Sequence, residues 1–142
     1  MKFGPISVDH IGIATADLDA ASHFWRLLGL GQGRGDELVK DQGVTTRFFS
    51  TQKQETNHIP KIELLEPTGE DTPIGKFLAK RGPGVQQICF RVGNLAELIS
   101  HLVGNGIQMI DDEPRIGAGG KSIAFVHPKS TGGVLVELTQ YE

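Results

Sequence analysis

Cysteine occurs once in this chain, at Cys89, so no internal disulfide can form and stability must come from a packed core. No apolar run approaches the roughly 18 residues needed to span a bilayer, and no basic-then-apolar leader opens the sequence. The expectation is a cytoplasmic protein without a membrane partner. An excess of positive charge is also lacking: the formal net charge is -3, which does not recommend nucleic acid or an anionic membrane. What remains is ordinary for a soluble globular domain. The 142 residues suit one compact domain, 38% are hydrophobic and 22% charged. Glycine is plentiful at 19, which asks for many turns or bulges.

The strongest organisational signal is an internal repeat. Asp9-His10-Ile11-Gly12-Ile13-Ala14 lies over Gln86-Gln87-Ile88-Cys89-Phe90-Arg91. In the same alignment Asp17-Leu18 falls on Asn94-Leu95, Gly29-Leu30 on Gly106-Ile107, and Phe48-Phe49 on Phe125-Val126. After a short slip, Ile62-Glu63-Leu64 meets Val136-Glu137-Leu138, as a changed turn would produce. The reading is a single domain of two modules, about 1–66 and 84–142, joined by a linker over 67–83.

Each half has the same order. Ser7–Ala14 and Val85–Val92 are short runs bounded by Gly or Pro and are expected to be strands. Leu18, Ala21, Trp25 and Leu28 recur at helical spacing, as do Leu95, Leu98, Ile99 and Leu102. Asp17 and Asn94 suit the N-caps, while Gly29 and Gly106 suit the helix stops. Three strands follow each helix: about Glu37–Lys40, Val44–Ser50 and Ile59–Leu65, then Gln108–Asp112, Lys121–His127 and Val134–Thr139. A short helix is expected over Ile74–Lys80. Strand, helix and three strands, given twice, does not suit a doubly wound parallel sheet. The predicted class is α+β, with paired βαβββ modules forming a cupped, mostly antiparallel sheet.

Four side chains stand at repeat-related places on the first and last strands: His10 with Gln87, and Glu63 with Glu137. All can ligate a hard or borderline divalent metal through nitrogen or oxygen. Glu137 lies in the apolar run Val134-Leu135-Val136-Glu137-Leu138, where an unpaired carboxylate is costly to bury. Singly, each has a plain alternative. Either glutamate could face water from a half-buried sheet, His10 could be a hydrogen-bonded strand residue, and Gln87 a surface polar group. As a symmetric set they point to a metal site.

Other candidates carry less. Gly117-Ala118-Gly119-Gly120 is not a phosphate loop, because no Gly-Lys-Ser/Thr opening a helix completes it, and it reads as a hairpin connection. His127-Pro128-Lys129-Ser130 reads as a solvated loop, and Lys76, Lys80 and Arg81 as a charged helix face. His23, His58 and His101 have no repeat partners, and Cys89 has no cysteine–histidine setting for a catalytic thiol.

Nearly the whole chain resembles the methylmalonyl-CoA epimerases, within the vicinal-oxygen-chelate superfamily that also holds glyoxalase I. The likeness is carried by Asp9-His10-Ile11-Gly12-Ile13-Ala14, Ile62-Glu63-Leu64-Leu65-Glu66-Pro67, Pro73-Ile74-Gly75-Lys76-Phe77-Leu78 and Asp112-Glu113-Pro114-Arg115. Its longest stretches are His127-Pro128-Lys129-Ser130 and Gly132-Gly133-Val134-Leu135-Val136-Glu137-Leu138. The resemblance implies a divalent ion (cobalt, manganese, nickel or zinc) held by His10, Glu63, Glu137 and the residue at position 87. In the epimerases that last ligand is usually histidine, from a His-His pair. Here the pair is Gln86-Gln87, and an amide oxygen is the weaker donor. A Gln, His, Glu, Glu set is nonetheless known among glyoxalase I enzymes. Thr46 lies where some epimerases carry a glutamate.

By resemblance, the expected reaction is epimerisation of a carbon between a thioester and a carboxylate. Glu137 is one acid–base group and Glu63 the other. The substrate class is an acyl-CoA or a glutathione-type thiol adduct, and the expected assembly is a homodimer. Two alternatives stay open. One is a glyoxalase I acting on a hemithioacetal with the same residues. The other is a metal-free binding protein that kept the fold and lost the site.

Overall fold

The computed structural model describes residues 3–50 and 60–141. His58, and the first residue of the strand expected at Ile59, lie outside the described residues. The chain divides into two compact units, one of His10–Gln86 and the other joining the chain up to Asp9 with Gln87 onward.

In the first unit, strands β1 (Ser7–Ala14), β2 (Gly31–Gln32), β4 (Val44–Ser50) and β5 (Lys61–Pro67) run in the spatial order β2-β4-β5-β1. β3 (Glu37–Val39) flanks β4. β1 and β5 are parallel and the remaining pairs antiparallel. The register puts Gly12 and Phe48 opposite Glu63, Thr46 opposite Leu65 and Glu37 opposite Thr46. Residues directly opposite share a face, so His10, Phe48, Glu63 and Thr46 belong to one side. The other side, with Ile13, Phe49, Ile62 and Leu64, packs on helix α1 (Leu18–Leu28). Phe49 and Leu64 are fully buried there, each contributing on the order of 1.5–3 kcal/mol by loss of apolar surface from water.

The second unit repeats the plan with β6 (Gly84–Val92), α3 (Leu95–Gly104), β7 (Arg115–Ile116), β8 (Ser122–Val126) and β9 (Leu135–Gln140). Its order is β6-β9-β8-β7, again with first and last strands parallel. Cys89 and Phe125 lie opposite Glu137. The alternate residues Val92, Ala124, Val126 and Leu138 pack with Leu95 and Ile99 of α3. The matched registers, Gly12 with Glu63 and Cys89 with Glu137, bear out the repeat.

The caps follow the sequence. Asp17 accepts from Ala20 N–H and Asn94 from Glu97 N–H. Gly29 closes α1 at φ 103°. Asn105 caps α3, and Gly106 takes the left-handed backbone one residue later, at φ 86°. Helix α2 (Pro73–Arg81) matches the expected short helix and packs against β5, so this linker segment folds with the first unit.

Three expectations need correction. Gln108–Asp112 is not a strand: it makes only the bridge between Met109 and Val126. The Asp111 carboxylate takes the Phe125 N–H at 2.8 Å, in place of a ladder bond, and the paired strand starts after Pro114. Lys40 leaves the strand for a 3-10 turn closed by Gly43 at φ 61°. Leu28 is exposed, whereas Ser22 is wholly buried, because its hydroxyl donates to Leu18 O and accepts from Arg47.

Candidate functional site

In the first unit, His10 on β1 and Glu63 on β5 come together. His10 Nε2 is 3.1 Å from Glu63 Oε1. His10 is opposite Lys61 in the parallel pair, so it and Glu63 are diagonal neighbours on one face. They are 6% and 3% exposed, which rules out a glutamate simply pointing to water. The Phe48 ring meets the His10 ring edge-on at 5.6 Å, and Lys61 Nζ lies 5.9 Å from the centre of the same ring.

The second unit repeats this arrangement with a different donor. Gln87 on β6 donates from Nε2 to Glu137 Oε1 on β9 over 2.8 Å. Gln87 and Glu137 are 5% and 6% exposed. Each module therefore joins a buried glutamate on its last strand to the predicted residue of its first. In the second module the amide hydrogen bond lowers the cost of burying the carboxylate; in the first, His10 Nε2 stands within ion-pair distance of Glu63 but outside hydrogen-bond geometry.

The glycine-rich segment and His127 behave as their plain readings said. Gly117 to Lys121 closes the β7–β8 connection through Gly117 N–H to Lys121 O at 2.8 Å. His127 Nδ1 accepts from Lys129 N–H within its own turn. The Arg81 guanidinium lies over Phe77, and Cys89 is buried with its Sγ 3.9 Å from Phe90 O.

The superfamily described as glyoxalase/bleomycin resistance protein/dioxygenase matches residues 9–125. This chain belongs to that superfamily. Among relatives, the ethylmalonyl-CoA/methylmalonyl-CoA epimerase of Cereibacter sphaeroides is 38% identical over 136 residues, covering 94% of this chain and 96% of that protein. The mitochondrial methylmalonyl-CoA epimerase of Mus musculus is 37% identical over 134 residues, covering 94% and 72%. A solved structure of a methylmalonyl-CoA epimerase in complex with methylmalonyl-CoA and an ammonium ion superposes with a TM-score of 0.89, at 37% identity, covering 96% of this chain and 95% of that one.

For this member of the glyoxalase superfamily, sequence reasoning missed the aromatic and basic company of the glutamates. Phe48 and Phe125 stand directly opposite Glu63 and Glu137. The Arg115 guanidinium carbon lies 5.5 Å from the centre of the Phe125 ring. The alignment of Phe48-Phe49 on Phe125-Val126 held the signal for the two rings. Arg115 stood only in the epimerase-like stretch Asp112-Glu113-Pro114-Arg115, with no role assigned to it. No helix among the described residues is long and apolar enough to cross a membrane.

Proposed function

We propose that this chain is a methylmalonyl-CoA epimerase, moving a proton at the carbon between a thioester and a carboxylate. One observation carries the reading: in each repeat a buried last-strand glutamate is engaged by the matching first-strand residue, Glu63 by His10 and Glu137 by Gln87. Near-full-length likeness to named epimerases supports it.

Epimerisation needs one group to take the α-proton and another to return a proton on the opposite face. Glu137 and Glu63 are assigned these roles, each able to hold a proton on its carboxylate. Gln87 orients Glu137 through its amide N–H, and His10 orients Glu63.

The donor set fits a divalent ion. It combines one imidazole nitrogen, two carboxylates and one amide, types suited to cobalt, manganese, nickel or zinc. With Gln87 Nε2 donating to Glu137, its Oε1 is the atom for ligation. We assign His10, Glu63, Gln87 and Glu137 as ligands; a bound ion would polarise the thioester carbonyl as a Lewis acid. The same reading takes the protein as a cytoplasmic homodimer with no nucleic-acid or membrane partner, checked by sedimentation and cell fractionation.

The test is exchange of the α-proton of methylmalonyl-CoA with deuterated water, followed by NMR across a series of divalent ions. Exchange that depends on the ion supports the proposal; no exchange with any of them overturns it. Turnover of methylglyoxal plus glutathione in its place would assign a glyoxalase I, which the named relatives do not favour. Failure to take up stoichiometric metal on reconstitution would leave a binding protein.

A further inference from the structure

We infer that Arg115 and Thr139 recognise a free carboxylate on the acyl group, making the protein selective for malonyl-type thioesters. The inference rests on the epimerase reading and adds its specificity-determining residues. Both residues, and every contact used below, belong to the unit that contains Glu137.

Thr139 lies two residues beyond Glu137 on β9, on the same face, and is 3% exposed. Its hydroxyl has no hydrogen-bond partner among the described residues. Buried hydroxyls are ordinarily paired, so an unpaired one beside a reactive carboxylate points to a ligand or water that completes it. Ile123 is opposite Thr139, and Arg115 is opposite Ile123. The Arg115 backbone therefore stands on the Thr139 row. Its guanidinium leans over Phe125, which is opposite Glu137, so the arginine reaches from one row to the next.

The arm is held without being used up. Arg115 Nε lies 3.4 Å from Asp111 Oδ1, an ion pair but not a hydrogen bond, and Asp111 Oδ2 is committed to the Phe125 N–H. Among the described residues no hydrogen bond engages the terminal guanidinium nitrogens, and the side chain is 36% exposed, accessible to a ligand. Arg91, opposite Thr139 on β6, is less available: its Nε is 3.7 Å from Asp9 and its guanidinium stacks on Tyr141. A guanidinium fork fits a carboxylate in two-point geometry, and a threonine hydroxyl can donate a further bond. In a malonyl-type thioester the carbon bearing the mobile proton is bonded to the free carboxylate. Gripping that carboxylate beside Phe125 brings the carbon to the Glu137 row.

The experiment is calorimetric titration of metal-reconstituted protein with methylmalonyl-CoA and with propionyl-CoA, which lacks the carboxylate. Arg115→Met should weaken methylmalonyl-CoA binding by about 10- to 100-fold and leave propionyl-CoA within about twofold, as expected for loss of a charge-assisted pair. Thr139→Val, nearly isosteric, should cost about three- to tenfold with the same selectivity. Equal losses for both thioesters, or none, would overturn the inference. Should Arg115→Met fail to fold, Arg115→Lys keeps the charge without the fork and must still lose selectivity. Selective binding by wild-type protein without α-proton exchange would defeat the epimerase reading alone. Exchange without selectivity would defeat only this one.

Discussion

Gln87 and Glu137 are joined by a hydrogen bond of 2.8 Å, amide to carboxylate, with both side chains buried. His10 and Glu63 occupy the matching places in the other repeat with an imidazole instead. The difference in donor leads to the first prediction. Gln87→His should tighten metal binding by about tenfold or more, since imidazole is the better ligand for these ions. Competition with a chromogenic chelator measures it, and unchanged affinity would remove Gln87 from the ligand set.

The two glutamates should differ from ordinary strand carboxylates in what their loss does. Glu137→Gln and Glu63→Gln keep the shape but cannot carry a proton between substrate faces. Each should lower turnover of methylmalonyl-CoA by about 10²–10⁴-fold, the usual scale for a lost acid–base group. Secondary structure by circular dichroism should be unchanged. A variant retaining more than a tenth of the rate would dismiss that glutamate as an acid–base group.

Arg47 links β4 to α1 and to the segment before β3. Its Nε and Nη2 donate to the two oxygens of Asp36 at 2.7 Å each, and Nη1 donates to Asp19 and Ser22. The hydrogen bonds from Arg47 hold the Asp36 carboxyl below its ordinary value, burial opposes this, and the charge of Arg47 adds to the lowering. The same bonds raise the Arg47 guanidinium above its own ordinary value. A carboxylate with a depressed folded pKa stabilises the fold above the unfolded value near 4 and loses that contribution as pH falls through the folded value. Asp36→Asn should therefore be less stable than wild type at pH 7, with the gap closing below about pH 4. Arg47→Met should lose about 1.5–3 kcal/mol at neutral pH. Thermal melts between pH 2.5 and 7 decide; parallel wild-type and Asp36→Asn profiles would refute the linkage.

Gly75 reverses a general rule. Inside a helix, glycine to alanine is ordinarily stabilising by about 1 kcal/mol. Here a Cβ would lie 2.4 Å from Gly69 O and 2.8 Å from Glu70 O, both backbone atoms that cannot swing aside. Gly75→Ala should therefore be destabilising by about 1–3 kcal/mol, through overpacking. Urea denaturation will show the sign, and a gain in stability would mean that the preceding turn yields.

Much of this was legible in the sequence because repetition and periodicity are local signals. The alignment of His10 with Gln87 and Glu63 with Glu137 named the residues that the structure then paired within each module. The apolar spacing and caps located α1 and α3. Where side chains replaced backbone partners, the pattern misled. Asp111 took a ladder position in the segment expected to be a strand, and Ser22, a polar residue, is buried because Arg47 and Leu18 O satisfy it.

The sequence by itself determined the class of fold, the repeat and the chemical types of the candidate ligands, because alternation, helix spacing and capping act over a few neighbouring residues. Only the tertiary structure decided which atoms meet. The parallel pairing of first and last strands turned residues far apart in the chain into diagonal neighbours, joining His10 to Glu63 and Gln87 to Glu137. It also leaned Arg115 over Phe125 and left the Thr139 hydroxyl buried without a partner among the described residues, consequences of strand register that no local pattern encodes.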